Sequence, residues 1–363
     1  MSGMITHGSA IQIGALVPLT RPGWIEAGQH LLAGLELAAG EVNDTGGING
    51  RPLELVVRDT AADPGKAVTA VRELDQLGVA ALAGEYHSVV ARAAAAEADT
   101  LGLPFLCSSA VLDALTDQPA DRVARLAPAQ SRGWRVYADF LLGAGHRRVA
   151  VVTQPSVYWA AGTRILRDHL SPGGGTVTEL GLGPRPPVTV CDELAASGAT
   201  AVLLLAGYPD PAVPVVRAIR RDPRLAGVMI GAPAGQPEFG QWRARLGGDG
   251  AGIPFLRYLP QHLSPLGTRV EGALRKRLAE SPSFDGFEGY DTITVLASML
   301  RAAGTDRVLL ARSWPRVAVE GTRGQIRFTR QPGIPVWQWA WAPIQVADRD
   351  PARPDRFRVL HTG

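Results

Sequence analysis

The sequence predicts an α/β protein built from two doubly wound parallel-sheet lobes, on three observations. At 363 residues the chain exceeds what one hydrophobic core usually serves. Short β-branched or aliphatic runs alternate with longer stretches whose apolar residues recur at helical spacing, the pattern of parallel α/β sheets. The alternation runs through four strands, then begins again and runs through four more.

In the first series the strands read IQIGALVP (11–18), LELVVRD (53–59), AALAGEY (80–86) and PFLCSSA (104–110). Helical segments containing GLELAAGEVN, DPGKAVTAVRELDQLG and SVVARAAAAEADTLG separate them. A helix around 133–142 opens the second series, with strands RVAVVTQ (148–154), TVTELGL (176–182), AVLLLAGY (201–208) and VMIGA (228–232). Its helices are expected near 158–170, 189–197, 211–221 and 237–246. Beyond Phe255 come two helical stretches, 266–280 and 287–303, then QIRFT and VWQWAWA, which alternate like antiparallel strands. The tail is expected to belong to both lobes. VADRDPARPDR (346–356) reads as a surface loop inside a last hairpin that ends in FRVL.

Composition excludes several classes of function. With 46% hydrophobic and 20% charged residues the chain reads as soluble and globular rather than disordered or fibrous. Its longest apolar run, around Ala201–Gly207, is strand-sized, so no membrane span is expected. The formal charge is +3, and Lys66 and Lys276 are the only lysines; the arginines are spread along the chain, with no stripe to receive a nucleic acid. Cys107 and Cys191 stand far apart without a CxxC or a Cys/His cluster, so neither a metal site nor a redox motif has ligands. A disulfide between them has no support in the sequence. The ten residues before Ile11, MSGMITHGSA, show neither a basic nor an apolar leader segment. Either the protein is cytoplasmic or an export segment lies upstream of Met1.

In open parallel sheets, ligands lie beyond the carboxyl ends of the strands. That rule selects Thr20 with Arg21 and Trp24, Glu85 to Ser88, Ser108 to Ala110, Gln154 with Tyr158, Tyr208, and Ala232 with Pro233. Ser88 precedes VVARAAAAEAD and Ser109 precedes AVLDAL, where each is expected to cap a helix. Two helix amino termini side by side would receive a carboxylate or an amide oxygen. Trp24, Tyr158 and Tyr208 place flat rings at strand ends, where they can close on a small ligand. Trp337, Trp339 and Trp341 recur at period two, which puts them on one strand face, with packing as the expected use. No HExxH, GxSxG or GxxxxGK[ST] is present, and LGLGPR (180–185) breaks the dinucleotide fingerprint at its third glycine. His87 is the one histidine at an expected ligand-facing strand end, and it lacks a nucleophile to serve. No catalytic residue, metal ligand or cofactor is expected.

The segment from ALVPLTRPGW to GEYHS resembles the Leu/Ile/Val-binding family of ABC-transporter solute-binding proteins. The resemblance rests on PLT, on E-x-N at the end of the first helix, on the GGINGR turn (Gly46 to Arg51), and on the DPxxAV helix start at Asp63, Pro64, Ala67 and Val68. LPFLCSSAVLDALT, RVAVVTQPSVYWAAG, AVLLLAGYPDPAVPVVRAIR, GYDTITVLASML and GQIRFT with VWQWAW extend it over residues 11 to 345. It implies the type I periplasmic-binding fold with three hinge crossovers, lobe 1 at 11–126 plus 258–333 and lobe 2 at 127–257 plus 334–363. It implies that Ser88 binds the ligand's carboxylate, that Ala110 offers a backbone contact, and that Tyr158 and Tyr208 are the aromatics of the second lobe. Val111 and Pro233 stand where amino-acid binders carry a threonine and an acid, which disfavours a standard branched-chain amino acid; Glu85 is the nearest alternative acid. The expected function is a solute-binding protein of an ABC importer, holding a small polar or carboxylate-bearing molecule, amino-acid-like or amide-like, by hinge closure. The expected site comprises Ser88, Ser109, Ala110, Tyr158, Tyr208, Trp24, Glu85 and Tyr86, the expected partner is an ABC permease, and the implied location is extracytoplasmic. A cytoplasmic ligand sensor of the amide-sensor type, acting on a regulatory protein, is the second reading.

Overall fold

The computed structural model describes residues 9–363; His7 and most of the stretch read as lacking a leader segment lie outside the described residues. In chain order the elements are β1 (Ile11–Val17), α1 (Ile25–Asp44), β2 (Leu53–Asp59), α2 (Pro64–Gln76), β3 (Ala81–Gly84), α3 (Ser88–Thr100), β4 (Phe105–Cys107) and β5 (Val123–Arg125). Then follow α4 (Gln130–Gly143), β6 (Arg148–Thr153), α5 (Val157–Leu170), β7 (Thr176–Gly181), α6 (Pro187–Ser197), β8 (Ala201–Leu205), α7 (Ala212–Arg221), β9 (Met229–Gly231), α8 (Gly240–Leu246) and β10 (Phe255–Arg257). The chain continues through α9 (Pro265–Leu278), α10 (Phe284–Ala303), α11 (Arg307–Ala311), β11 (Val319–Gly321), β12 (Gly324–Ile326), β13 (Phe328–Gln331), β14 (Ile334–Trp339), β15 (Gln345–Arg349) and β16 (Phe357–Thr362).

These elements form two units. The first holds the described residues to Ala129 together with His262–Pro343; the second holds Gln130–Gln261 and Ile344–Gly363. The first is built on a seven-stranded sheet in the order β13-β14-β5-β4-β3-β1-β2, parallel except for β13. The second has a parallel sheet in the order β7-β6-β8-β9 and an antiparallel one in the order β10-β15-β16. In both parallel sheets the first strand stands between the second and the third, so the order reverses at β1/β3 and at β6/β8. Those reversals are where an open α/β sheet leaves a crevice at its carboxyl edge.

Local chemistry explains several boundaries. Asp63 accepts from the Lys66 N–H at 2.8 Å and Pro64 fills the first helical position, so the DPGK start begins α2. In the first unit α1 packs on α10 at backbone distance: a Cβ on Gly34 would stand 1.9 Å from the Gly286 carbonyl oxygen, and one on Gly289 would stand 2.2 Å from that of Leu31. The core on one side of the first sheet gathers Leu16, Leu82, Phe105 and Val123 with the small residues of α3; the second unit's core gathers Val152, Leu204, Ile230 and Trp242.

The structure departs from the sequence reading at four places. The sequence reading puts residues 334–339 in the second lobe, but β14 pairs with β5 and β13 in the sheet of the first unit. AVLDAL is not a helix, because its backbone is satisfied from outside: the Ser88 hydroxyl accepts from the Val111 and Leu112 N–H groups, and Arg125 donates to both their carbonyls. The expected loop 346–356 is shorter, since Val346 to Arg349 belong to buried β15, which pairs with both β10 and β16. The three tryptophans do not share one environment, because β14 ends at Trp339. Trp339 is buried, Trp337 lies under the Arg330 guanidinium, and Trp341 is 80% exposed.

Candidate functional site

The reversal in the first sheet places the ends of β1 and β3 side by side, with β4 next to β3. Gly84 ends β3 with φ +111°, and a Cβ there would lie 2.0 Å from the Leu16 carbonyl oxygen, so only glycine lets β3 run this close to β1. Glu85, Tyr86 and His87 follow and lead into α3. The Trp24 ring, just before α1, meets Tyr86 edge-on at 5.6 Å, and Tyr86 meets His87 edge-on at 5.1 Å. Trp24, Glu85, Tyr86, Ser88, Ser109 and Ala110 therefore collect at one edge of the first unit, as the strand-end rule expects.

Their roles differ from simple capping. Ser88 is the first residue of α3, not the residue before it, and no side chain caps that helix. Its hydroxyl oxygen instead accepts from the N–H groups of Val111 and Leu112, each at 3.2 Å. With its lone pairs so used, the Ser88 O–H remains as a donor. One residue before Val111, Ala110 is 0% exposed, and among the described residues its N–H finds no acceptor. Arg125, fully buried, fixes the other side of this loop by donating to the Val111 and Leu112 carbonyls at 2.9 and 2.6 Å and to Gln338 at 2.7 Å. Two donors, one at the start of α3 and one on the braced loop, are thus held side by side, and among the described residues neither has an acceptor.

Glu85 is 0% exposed. One carboxylate oxygen accepts from the Tyr86 and His87 N–H groups, both at 2.9 Å, and the other from the Thr60 hydroxyl at 2.6 Å. The Ser108 and Thr292 hydroxyls meet at 2.8 Å, and the helix that carries Thr292 holds a second buried polar cluster. Arg323 donates to Glu288 and to Asp291, both at 2.9 Å, while Asp291 also accepts from the Thr322 N–H and hydroxyl. Burial pushes the Glu288 carboxyl up to about 7, against the pull of Arg323; burial raises Asp291 as well. Burial also pushes the Cys107 thiol up to about 12, so it stays protonated.

In the second unit the reversal at β6/β8 is bridged by Gln154, whose side-chain oxygen accepts from the Gly207 N–H at 2.8 Å. Tyr208 follows, half-buried, its ring 5.9 Å from that of Trp242. Tyr158 turns into its own unit: its phenol is buried, which raises its pKa, and its ring meets Trp134 edge-on at 6.0 Å. Pro233 is buried, and the nearby acid Glu238 is already paired with Arg257 at 2.7 Å.

Sequence reasoning did not find Arg125, Arg323, Glu288 or Asp291. A lone arginine in the buried strand VAR, and two acids three residues apart in the otherwise apolar GFEGYDTITV, were the available signals. Cys107 and Cys191 are both free and buried. Among the described residues no helix is long and apolar enough to cross a membrane.

Residues 10–348 match the family model described as "Periplasmic binding protein". The Leu/Ile/Val-binding protein homolog 7 of Brucella melitensis is 33% identical over 129 residues, covering 35% of this chain and 32% of that protein. Homolog 8 of Brucella abortus is 28% identical over 177 residues, covering 46% and 43%. The chain thus spans less than half the length of these curated relatives. Among solved structures, a leucine binding protein LivK from Thermotoga maritima superposes with TM-score 0.83 at 20% identity, covering 97% of this chain and 98% of that one. A solute binding protein from R. palustris in complex with benzoate gives 0.81 at 20% identity, covering 97% and 96%. At these identities the likeness is one of fold. Each name is that of a binding protein, and the cytoplasmic-sensor reading gains no support from them.

Proposed function

Because the chain belongs to the periplasmic binding protein family, we propose that it is the solute-binding component of an ABC importer. Its ligand is a small molecule that presents a carboxylate or amide oxygen to Ser88 and Ala110. One observation carries the reading: among the described residues the buried Ala110 N–H and the half-buried Ser88 hydroxyl proton have no acceptor, and an orphaned buried donor such as the Ala110 N–H costs about 1–3 kcal/mol until something accepts from it. A ligand oxygen supplies that acceptor. Trp24 and Tyr86 give the same edge an apolar wall.

The work is binding, not bond-making. Cys107 is held as a thiol, and His87 is engaged by Glu85 at 3.4 Å rather than by a hydroxyl it could deprotonate. Closure about a hinge is the step we propose couples capture to a permease, since a solute shifts an open-to-closed equilibrium only by its differential affinity for the two states. The test is a thermal-shift screen across amino acids, amides, ureas and aromatic acids, repeated on Ser88→Ala. A hit in the wild-type chain should lose its stabilisation in the variant, while the ligand-free variant melts slightly earlier because the Val111 and Leu112 N–H groups lose an acceptor. A ligand that stabilises both proteins equally would remove Ser88 from the site.

A further inference from the structure

We propose that the second unit docks on an anionic lipid surface through a face of arginines on α7 and α8, which receive the phosphates of phospholipid headgroups. The proposal stands apart from the solute site. From Ala212 to Ala251 the chain carries six arginines and three acids, an excess of three positive charges that matches the formal charge of the whole chain. In sequence these arginines look scattered, but the fold gathers them. Arg217 on α7 donates to the Arg245 carbonyl near the end of α8 at 2.6 Å, and Arg220 donates to the Asp249 and Ala251 carbonyls at 3.2 and 3.1 Å. Helix α7 turns Val213, Val216 and Ile219 inward, which leaves Pro214, Arg217, Arg220 and Arg221 exposed on its outer side; Arg243 and Arg245 are exposed on α8.

The acids nearby are already committed. Arg224 is paired with both Asp192 and Asp222, Arg185 with Glu193, and Arg257 with the buried Glu238. Asp249 acts on the charge of Arg220, and Asp210 stands before the first turn of α7, at its far end. Among the described residues no acid lies within ion-pair reach of Arg217, Arg221, Arg243 or Arg245. A hydrogen bond to a carbonyl leaves a guanidinium its full charge, so Arg217 counts with the other three. Cations also settle at helix carboxyl ends to offset the dipole, but that effect ends within a turn and leaves most of this charge unanswered.

A field of phosphates suits this face better than a protein does. Among the described residues no large apolar side chain between Ala212 and Ala251 is exposed, so the anchors on which a protein interface depends are missing. Guanidinium forks bind phosphate oxygens in pairs, and headgroups that diffuse in a bilayer can meet arginines at any spacing. The face lies at the edge of the sheet where β8 and β9 begin, because α7 and α8 each run back from the carboxyl end of a strand. Gln154, Tyr208 and Pro233, at the other edge, stay free. With no membrane-spanning helix among the described residues, the contact is peripheral and reversible.

The test is cosedimentation of the purified chain with vesicles of equal parts phosphatidylglycerol and phosphatidylcholine, and with vesicles of phosphatidylcholine alone. It is run at about 0.1 M and about 1 M salt, where charges are screened over about 10 Å and about 3 Å. The chain should bind the phosphatidylglycerol vesicles at the lower salt, release them at the higher, and ignore phosphatidylcholine. Arg221→Glu with Arg245→Glu should weaken binding by about tenfold or more. Arg301→Glu with Arg312→Glu, the same charge change on exposed arginines of the first unit, should leave it within about twofold. Melting temperatures check that both variants fold; should the glutamates prevent folding, Arg221→Gln with Arg245→Gln carries the comparison. Absence of binding to phosphatidylglycerol vesicles overturns the proposal. Equal binding to phosphatidylcholine overturns it too, since charge would not be the cause, and equal weakening by the two double variants means that the face is not this one. Binding to poly-glutamate or to duplex DNA without binding to the vesicles assigns the arginines to an acidic protein or a nucleic acid and overturns the lipid reading.

Discussion

Replacing Glu288 by glutamine should change how the stability of this protein depends on pH. Glu288 is buried, shares Arg323 with Asp291, and has its carboxyl pushed from 4.5 up to about 7. A carboxyl whose pKa is higher in the folded state binds more protons folded than unfolded between those two values, so its contribution to stability is complete below the lower one and is lost as pH rises through the higher. At about 1.4 kcal/mol per pH unit, the displacement from 4.5 to about 7 corresponds to at most roughly 3–4 kcal/mol. Asp291 is raised by the same burial and adds in the same direction. The assay is urea denaturation followed by tryptophan fluorescence at a series of pH values from about 4.5 to 7.5, on the wild type and on Glu288→Gln. The wild type should lose stability relative to the variant as pH rises, by about 1–3 kcal/mol across the range. A difference that stays constant within ~0.5 kcal/mol would mean that Glu288 titrates as an ordinary surface acid, and the account of this buried cluster would be wrong.

Other perturbations follow from the same packing. Arg125→Met removes the donor from two buried carbonyls and should cost about 3 kcal/mol, with ligand affinity falling alongside because the Ala110 loop loses its brace; equilibrium unfolding and titration read the two effects. Gly34→Ala places a methyl 1.9 Å from the Gly286 carbonyl and should destabilise the first unit by about 3 kcal/mol or more, measured by unfolding; a cost under ~1 kcal/mol would mean that α1 and α10 separate easily. Trp339→Ala should cost about 3–5 kcal/mol and Trp341→Ala less than ~0.5 kcal/mol, although the sequence places both in one alternating run. Arg257→Met leaves the buried Glu238 carboxylate without its cation and should cost about 3 kcal/mol, read by equilibrium unfolding; a cost under ~0.5 kcal/mol would mean that the pair is not buried as described.

The type I periplasmic-binding fold that the resemblance implied is the one the structural matches share. Most of its strands were legible because period-two runs and the helical segments between them are local patterns. The three-residue strands β5 and β10 were not, since a run that short carries no periodicity and is a strand only through its neighbours: β4 and β14 for one, β15 for the other. Strand β15 was hidden for a different reason. Asp348 and Arg349 look like loop residues until Arg358 and the backbone carbonyls of Pro237, Glu238 and Phe239 are found to satisfy them.

The sequence by itself determined which residues end the strands, and so which side chains gather at the edge where β1 and β3 diverge, because strand period and turn chemistry are written in neighbouring residues. Only the tertiary structure decided what those side chains do there. Ser88 accepts from N–H groups 23 and 24 residues away, Glu85 accepts from Thr60 and the entry to α3, and the Ser108 hydroxyl meets that of Thr292 on a helix far down the chain. A hydroxyl or a carboxylate takes its role from the partner that reaches it, and the partner's arrival depends on the whole path of the chain.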